Sequence, residues 1–290
     1  MPSPVLESLK YAAYSITCIG IFSVGSSFFP IEHCYTDEFA VSSMGYKFFY
    51  ANLAGMFHRY FYYTAFLFQT GTAIASGLGY NGRKEVGPSD DVDPKDPDSK
   101  GTPLWDKIVG VYVLDCELAT NINTCLHYWN MRVHIWLKYY ISERLAGNGK
   151  RPTTVHYLLT FFTSAFWHGF YPFYYITFSF LLLSSFAHKD VYNMWYLFRN
   201  IPSPIKRVIC TTINNLGGSY VVLCVNARVF DKGLKFLGAT YYYGFVFMFA
   251  VLIISRGFGL LSMSKKMERA DKDLKQPNAQ KLPTVSDDKQ

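Results

Sequence analysis

Charge is scarce in this chain. Of its 290 residues only 17% are Asp, Glu, Lys or Arg, while half are hydrophobic and 18% aromatic, a balance too apolar for an ordinary soluble domain. Paired cysteines are lacking as well. Cys18, Cys34, Cys116, Cys125, Cys210 and Cys224 are scattered with no C-x-x-C between them, which argues for reduced, buried thiols and against a disulfide framework or a metal site. The G-x-S-x-G elbow, the H-E-x-x-H pair and the P-loop are all missing. None of the seven histidines has Asp five positions later, and no D-H-H-C run occurs. The net charge of +7 does not point to nucleic acid, because Lys and Arg collect in 138–151, in 189–207 and beyond Arg256. Those segments flank apolar runs, the bias of loops that face cytoplasm and anionic headgroups.

What the chain does have is apolar runs near the roughly 20 residues that cross a hydrocarbon core. Residues 11–29 read as a first membrane helix, since Glu7 spoils the basic start of a signal peptide. Residues 31–44 are mixed and read as a loop. The aromatic stretch 46–80 is interrupted by His58-Arg59 and by Gly71, Gly77 and Gly79; interfacial snorkelling is the favoured reading of that charged pair. Residues 81–103 are rich in Pro, Asp and Gly and read as a flexible solvated loop. Residues 109–126 carry Asp115, Glu117, Asn121 and Asn123, too polar for a lipid-facing span. Residues 127–145 read as one amphipathic helix at the membrane surface. Trp129, Val133, Trp136 and Tyr140 form its apolar stripe, and Asn130, His134 and Lys138 a polar one. Residues 155–187 suit a kinked passage or a hairpin, and 208–225 and 236–254 suit further membrane helices. The fold class expected is an all-α, multi-pass integral membrane bundle with an interfacial amphipathic helix and a buried catalytic chamber. It would occupy residues 1–261, followed by a charged, disordered tail over 262–290.

The centre of that expectation is the segment 161–178, FFTSAFWHGFYPFYYITF, which places one ionisable group, His168, inside an apolar run. Ionisable side chains at membrane depth are costly and mark functional sites by default. Gly169 and Pro172 follow at once, so the helix is expected to kink or break there. A hydrogen-bonded packing histidine and a general base are both consistent with this setting; a desolvated neutral imidazole can accept a hydroxyl proton near neutral pH.

The run 164–178, SAFWHGFYPFYYITF, resembles the histidine motif of the membrane-bound O-acyltransferase (MBOAT) family in its lysophospholipid acyltransferase branch. The upstream piece 117–145 is similar to the same branch's asparagine motif, centred on Trp129-Asn130 with Trp136-Leu137-Lys138 after it. GLGYNG at 77–82 looks like a third piece in the right order. The resemblance implies that His168 deprotonates the free hydroxyl of a lysophospholipid for attack on a fatty acyl-CoA thioester. It implies that Asn130 orients a reactant or stabilises the oxyanion. Trp129, Trp167 and Tyr174 are candidate chamber residues, although core packing suits each of them too. Lys138, with Arg144 and Lys150, is a candidate contact for CoA phosphates. Acyl-CoA, lysophospholipid and membrane lipids are the implied partners, with no resident cofactor or metal, and the endoplasmic reticulum is the implied location, with a cytosolic C-terminal tail. Two other readings stay open: acyl transfer to a protein, and a catalytically silent paralogue that binds lipid or partners. Two departures from the family pattern accompany the match. Members of this branch are usually longer at the N-terminus, so the chain is expected to begin partway through the usual domain. The residue after the motif proline is Phe173 instead of Gly, expected to reshape the tunnel or disturb the kink.

Overall fold

The structure is a computed structural model that describes residues 1–84, 101–147 and 149–275. The reading of 85–100 as a flexible loop lies outside the described residues. The described part is helical, and the only ladder contact in it is one isolated bridge, Arg83 to Pro103.

The chain begins with α1 (Val5–Phe28), a 24-residue apolar helix long enough to span a membrane. A 3₁₀ turn (Ile31–Tyr35) and α2 (Asp37–Val41), capped by the Thr36 hydroxyl, occupy the segment expected to be loop. The 32-residue α3 (Met44–Ala75) is the spine of the fold, with α1 against one side of it. Two serines of α1 tie the pair: Ser15 donates to the Thr64 carbonyl at 3.0 Å and Ser8 to the Gly71 carbonyl at 2.9 Å. At Gly25 the absence of a side chain makes room for the ring of Phe57.

Neither glycine nor charge interrupts α3. Arg59 is 5% exposed, so the interfacial snorkelling expected of it is not what occurs. Its guanidinium forms a bidentate pair with Glu117, both bonds 2.9 Å, and also donates to Asn215 and Ser219. Half-buried His58 does not snorkel either, its ring lying against Phe22, Phe61 and Tyr62. A buried charge persists only when paired and hydrogen-bonded, and here two segments far apart in the chain supply the partners, Glu117 from one and Asn215 and Ser219 from the other.

After α3, Gly77 and Gly82 take positive φ of 82° and 87°, and the chain turns back on itself through bonds between Asn81 and Leu104 and between Leu104 and Gly82. GLGYNG also spells the G-x-G-x-x-G spacing of a dinucleotide fingerprint. That fingerprint needs a strand before it and a helix after it; here a helix precedes it and the isolated bridge at Arg83 comes directly after it.

A set of short helices comes next: α4 (Val113–Glu117), α5 (Ile122–Tyr128), α6 (Met131–Leu137), a π-helical segment (Lys138–Glu143) and α7 (Arg144–Ala146). The hairpin α8 (Thr154–His168) and α9 (Pro172–Asn193) follows, then a 3₁₀ turn (Trp195–Phe198) and α10 (Ser203–Ala227), the second helix long and apolar enough to span. The run over 236–254, expected to give one membrane helix, is divided between α11 (Phe230–Ala239) and α12 (Tyr243–Gly257), which are bent by 67° and are apolar enough to span only when taken together. Tyr241 and Tyr242 make that corner in the left-handed region. The tail expected to be irregular from 262 is helical as far as α13 (Leu260–Lys275).

Packing runs outward from α3 through α10 to α9, which also meets α8 and α12. The main core gathers Phe39, Tyr50, Phe173, Phe180, Tyr220, Leu223 and Phe236. Buried Gly55 lets α10 come close, since a Cβ there would stand 2.7 Å from Ser219 Cα. Asp190 joins α9 to α12, accepting from the Ser255 hydroxyl and from Arg256 Nε, each at 2.8 Å.

Candidate active site

The asparagine segment is not one helix. α5 ends at Tyr128, Trp129 is extended (φ −88°, ψ 126°), and Asn130 is left-handed (φ 45°, ψ 52°) before α6 begins. Asn tolerates that conformation better than other residues with a Cβ. The anchors lie on both sides of it. Trp129 inserts among Tyr62, Tyr63 and Phe66 of α3, with ring centroids 5.8, 5.2 and 5.6 Å away. On the other side, Met131 N–H donates to the Gly110 carbonyl at 2.8 Å, and Gly110 N–H donates to Thr70 Oγ1 at 3.0 Å. Arg132 reaches the carbonyls of Val109 and Lys107. The aromatic pull on Trp129 therefore breaks the helix that periodicity alone suggested, and Trp129 does not share a stripe with Trp136.

This arrangement leaves the Asn130 carboxamide uncommitted. It forms no helix-capping bond, and no side-chain hydrogen bond involves it among the described residues. The Asn130 carbonyl accepts from His134 N–H at 3.0 Å. The ring of His134 lies 5.9 Å from that of His127; burial, and after it the nearby His127 and Lys138, hold His134 below the usual histidine value. The π-helical segment beyond it is a distortion often found near functional sites.

His168 is the last residue of α8. Gly169 takes φ 133°, ψ 176°, a region open only to glycine, and Pro172 starts α9 with its fixed φ. The expected break is present, and it turns 155–187 into a hairpin. The imidazole is surrounded by rings: Trp167 at 5.1 Å, Tyr174 at 6.2 Å and Phe178 at 5.0 Å. It makes no side-chain hydrogen bond among the described residues, and it is exposed, so the described residues do not close the buried chamber expected around it. An apolar cavity of about 130 Å³ lies between α8 and α9 and shares Phe178 with the histidine.

The asparagine and histidine elements are brought together indirectly. The π-helical segment packs on α8, and α5 packs on α9. Trp136 and Trp167 approach to 6.4 Å, and no hydrogen bond joins Asn130 to His168 among the described residues. Trp167 is 54% exposed while Tyr174 is half-buried. Lys138 is exposed, 3.9 Å from Glu143 and above the Tyr139 ring. Phe173 is fully buried in the main core, so it neither fills the space beside His168 nor prevents the break. Sequence reading missed the Arg59–Glu117 pair that anchors the asparagine segment to α3. Two opposite charges inside apolar surroundings were the signal that could have found it.

Comparison with known proteins adds an independent line. The profile of the membrane-bound O-acyltransferase family matches residues 3–224. A protein of Schizosaccharomyces pombe named lysophospholipid acyltransferase is 33% identical over 212 residues, covering 70% of this chain and 39% of its own. The Saccharomyces cerevisiae protein of the same name is 36% identical over 159 residues, 54% of this chain and 23% of its own. Lysophospholipid acyltransferase 1 of Arabidopsis thaliana is 28% identical over 261 residues, 88% of this chain and 53% of its own. This chain thus spans from about a quarter to about half the length of these relatives.

Proposed function

This chain belongs to the membrane-bound O-acyltransferase family, and from that premise we propose that it transfers a fatty acyl group from acyl-CoA to the free hydroxyl of a lysophospholipid. The observation that carries the reading is the pairing of two uncommitted polar groups on packed elements. The His168 imidazole and the Asn130 carboxamide have no hydrogen-bond partners among the described residues, and each sits where the backbone leaves helical geometry.

In this reading His168 accepts the acceptor hydroxyl proton as its oxygen attacks the thioester carbonyl. The Asn130 N–H group donates to the oxyanion that forms. As the tetrahedral species collapses, the C–S bond breaks and the new ester remains. His168 returns the proton to the departing thiolate, giving free CoA. Trp167 and Tyr174 line the approach to the imidazole. Lys138 offers positive charge to CoA phosphates, and Trp129 acts through packing by fixing the turn at Asn130. The relatives' names support a phospholipid acceptor, and their family supports residence in the membrane. The endoplasmic reticulum, with the C-terminal tail in the cytosol, is the setting we assign.

The test is acyl transfer in microsomes that express the chain, offered labelled acyl-CoA and a panel of lysophospholipids. Transfer to one acceptor class that vanishes in His168→Ala at equal protein level is the expected result. Equal transfer by wild type and variant would remove His168 from the chemistry.

A further inference from the structure

We propose that Phe173 and Gly233 are positioning residues for His168, locking the α8–α9 hairpin onto the elbow between α10 and α11. The inference rests on the acyl-transfer reading for its functional meaning, and on packing for everything else.

The hairpin is held unequally along its length. On α8 only Ser164 and Ala165 are buried, whereas α9 buries Phe173, Thr177, Phe180 and four more residues before Asp190. His168 makes no side-chain hydrogen bond among the described residues, and Gly169 directly after it gives the backbone wide freedom. Its place is therefore set by the anchors on either side of the break, Ala165 on α8 and the first buried residue of α9. On the α9 side that anchor is Phe173, at 0% exposure, and it is the larger of the two side chains.

Phe173 is seated by two contacts with one elbow. Its ring fills the space that the missing side chain of Gly233 leaves on α11, and a Cβ at Gly233 would overlap the ring. Its N–H, one of the orphan donors in the first turn of α9, donates to the Arg228 carbonyl at 3.4 Å. Arg228 lies at φ 55°, ψ −62°, and Val229 N–H donates to the Ala227 carbonyl at 2.6 Å across it. This is a γ-turn of the rare, strained hand. A non-glycine residue persists there only when its surroundings over-determine it. The strained turn and the bare glycine belong to one seat, and the hairpin that carries His168 rests on it.

Gly233→Ala is the informative change, because alanine is the better helix former and would otherwise stabilise α11. Any loss must come from the clash with Phe173. A misplacement of about 1 Å can cost on the order of a hundredfold in rate. In the full chain in microsomes, Gly233→Ala is expected to lower kcat roughly ten- to hundredfold while KM for acyl-CoA changes less than about twofold. Adding Phe173→Leu, which shortens the ring's reach, is expected to restore most of the loss. A second readout needs no acyl transfer: the rate at which diethyl pyrocarbonate modifies His168, mapped by mass spectrometry with His33 as internal control. Gly233→Ala should shift the His168 rate at least about threefold, and the double variant should bring it back. If Gly233→Ala fails to fold, Phe173→Leu alone carries the test and should shift the His168 rate, not that of His33. An unchanged His168 rate and kcat in a folded variant overturn the proposal. A wild-type chain that transfers no acyl group overturns the functional reading, and the positioning claim is then judged on the modification rates alone.

Discussion

Replacing Glu117 by Ala should be among the most destabilising single changes in this chain. Arg59 has a side-chain exposure of only 6%, and Glu117 supplies both oxygens of its bidentate pair. Tyr63 O–H also donates to Glu117, at 2.8 Å. The variant leaves the guanidinium in place with only Asn215 and Ser219 as acceptors. Removing one partner of a buried ion pair costs roughly 3–5 kcal/mol, chiefly as an uncompensated charge. Glu117 keeps 19% side-chain exposure, so solvent relieves part of this and about 3 kcal/mol is the working figure. At about 2–4 °C per kcal/mol for a chain of this size class, the unfolding midpoint should fall by roughly 6–12 °C. The assay is intrinsic fluorescence against temperature in detergent micelles, for wild type, Glu117→Ala, Arg59→Met and the double variant. The double variant leaves no unpaired charge at this site, so it should be more stable than Glu117→Ala alone, and the cycle should show strong coupling. A midpoint shift under about 2 °C for Glu117→Ala, or additive single effects, would refute the reasoning.

Three further outcomes follow from the geometry. Gly55→Ala should cost about 2 kcal/mol or more, as overpacked contacts do, because Ser219 backbone lies 2.6–2.7 Å from the new methyl; Gly45→Ala, with open space around it, should be silent in the same thermal assay. Asp190→Ala should destabilise more than Arg256→Gln, because the carboxylate side chain is 7% exposed and its partner 60%; about 1 kcal/mol or less is expected for the exposed arginine, read from chemical unfolding. Asn130→Gly should retain stability while acyl transfer falls roughly 10²-fold, the size typical of losing one oxyanion donor. Asn130→Val should lose both, since a β-branched residue is strained at φ 45°.

The seam between sequence and structure runs through particular residues. Composition alone shows a helical membrane chain, because a backbone in hydrocarbon must satisfy its own hydrogen bonds and long apolar runs leave few other options. The break after His168 was equally legible, since Gly169 and Pro172 act on their own backbone and need no distant partner. Where distant residues decide, the local pattern misled. The stripe that joined Trp129 to Trp136 is real as a spacing, yet three rings of α3 pull Trp129 out of the helix and turn Asn130 left-handed. Arg59 looked like an interfacial charge because its partner Glu117 is 58 residues away, with Asn215 and Ser219 farther still. The single membrane helix expected over 236–254 is broken by a corner at Tyr241 and Tyr242, and Phe173 fits its place because Gly233 is bare. By itself the sequence determined the helical class, the apolar runs, the break after His168 and the two polar residues set within them. Tertiary structure alone decided which charges are buried, which face Trp129 takes and what seats the hairpin. Periodicity records each residue's relation to its own helix, while burial and pairing depend on which surfaces meet.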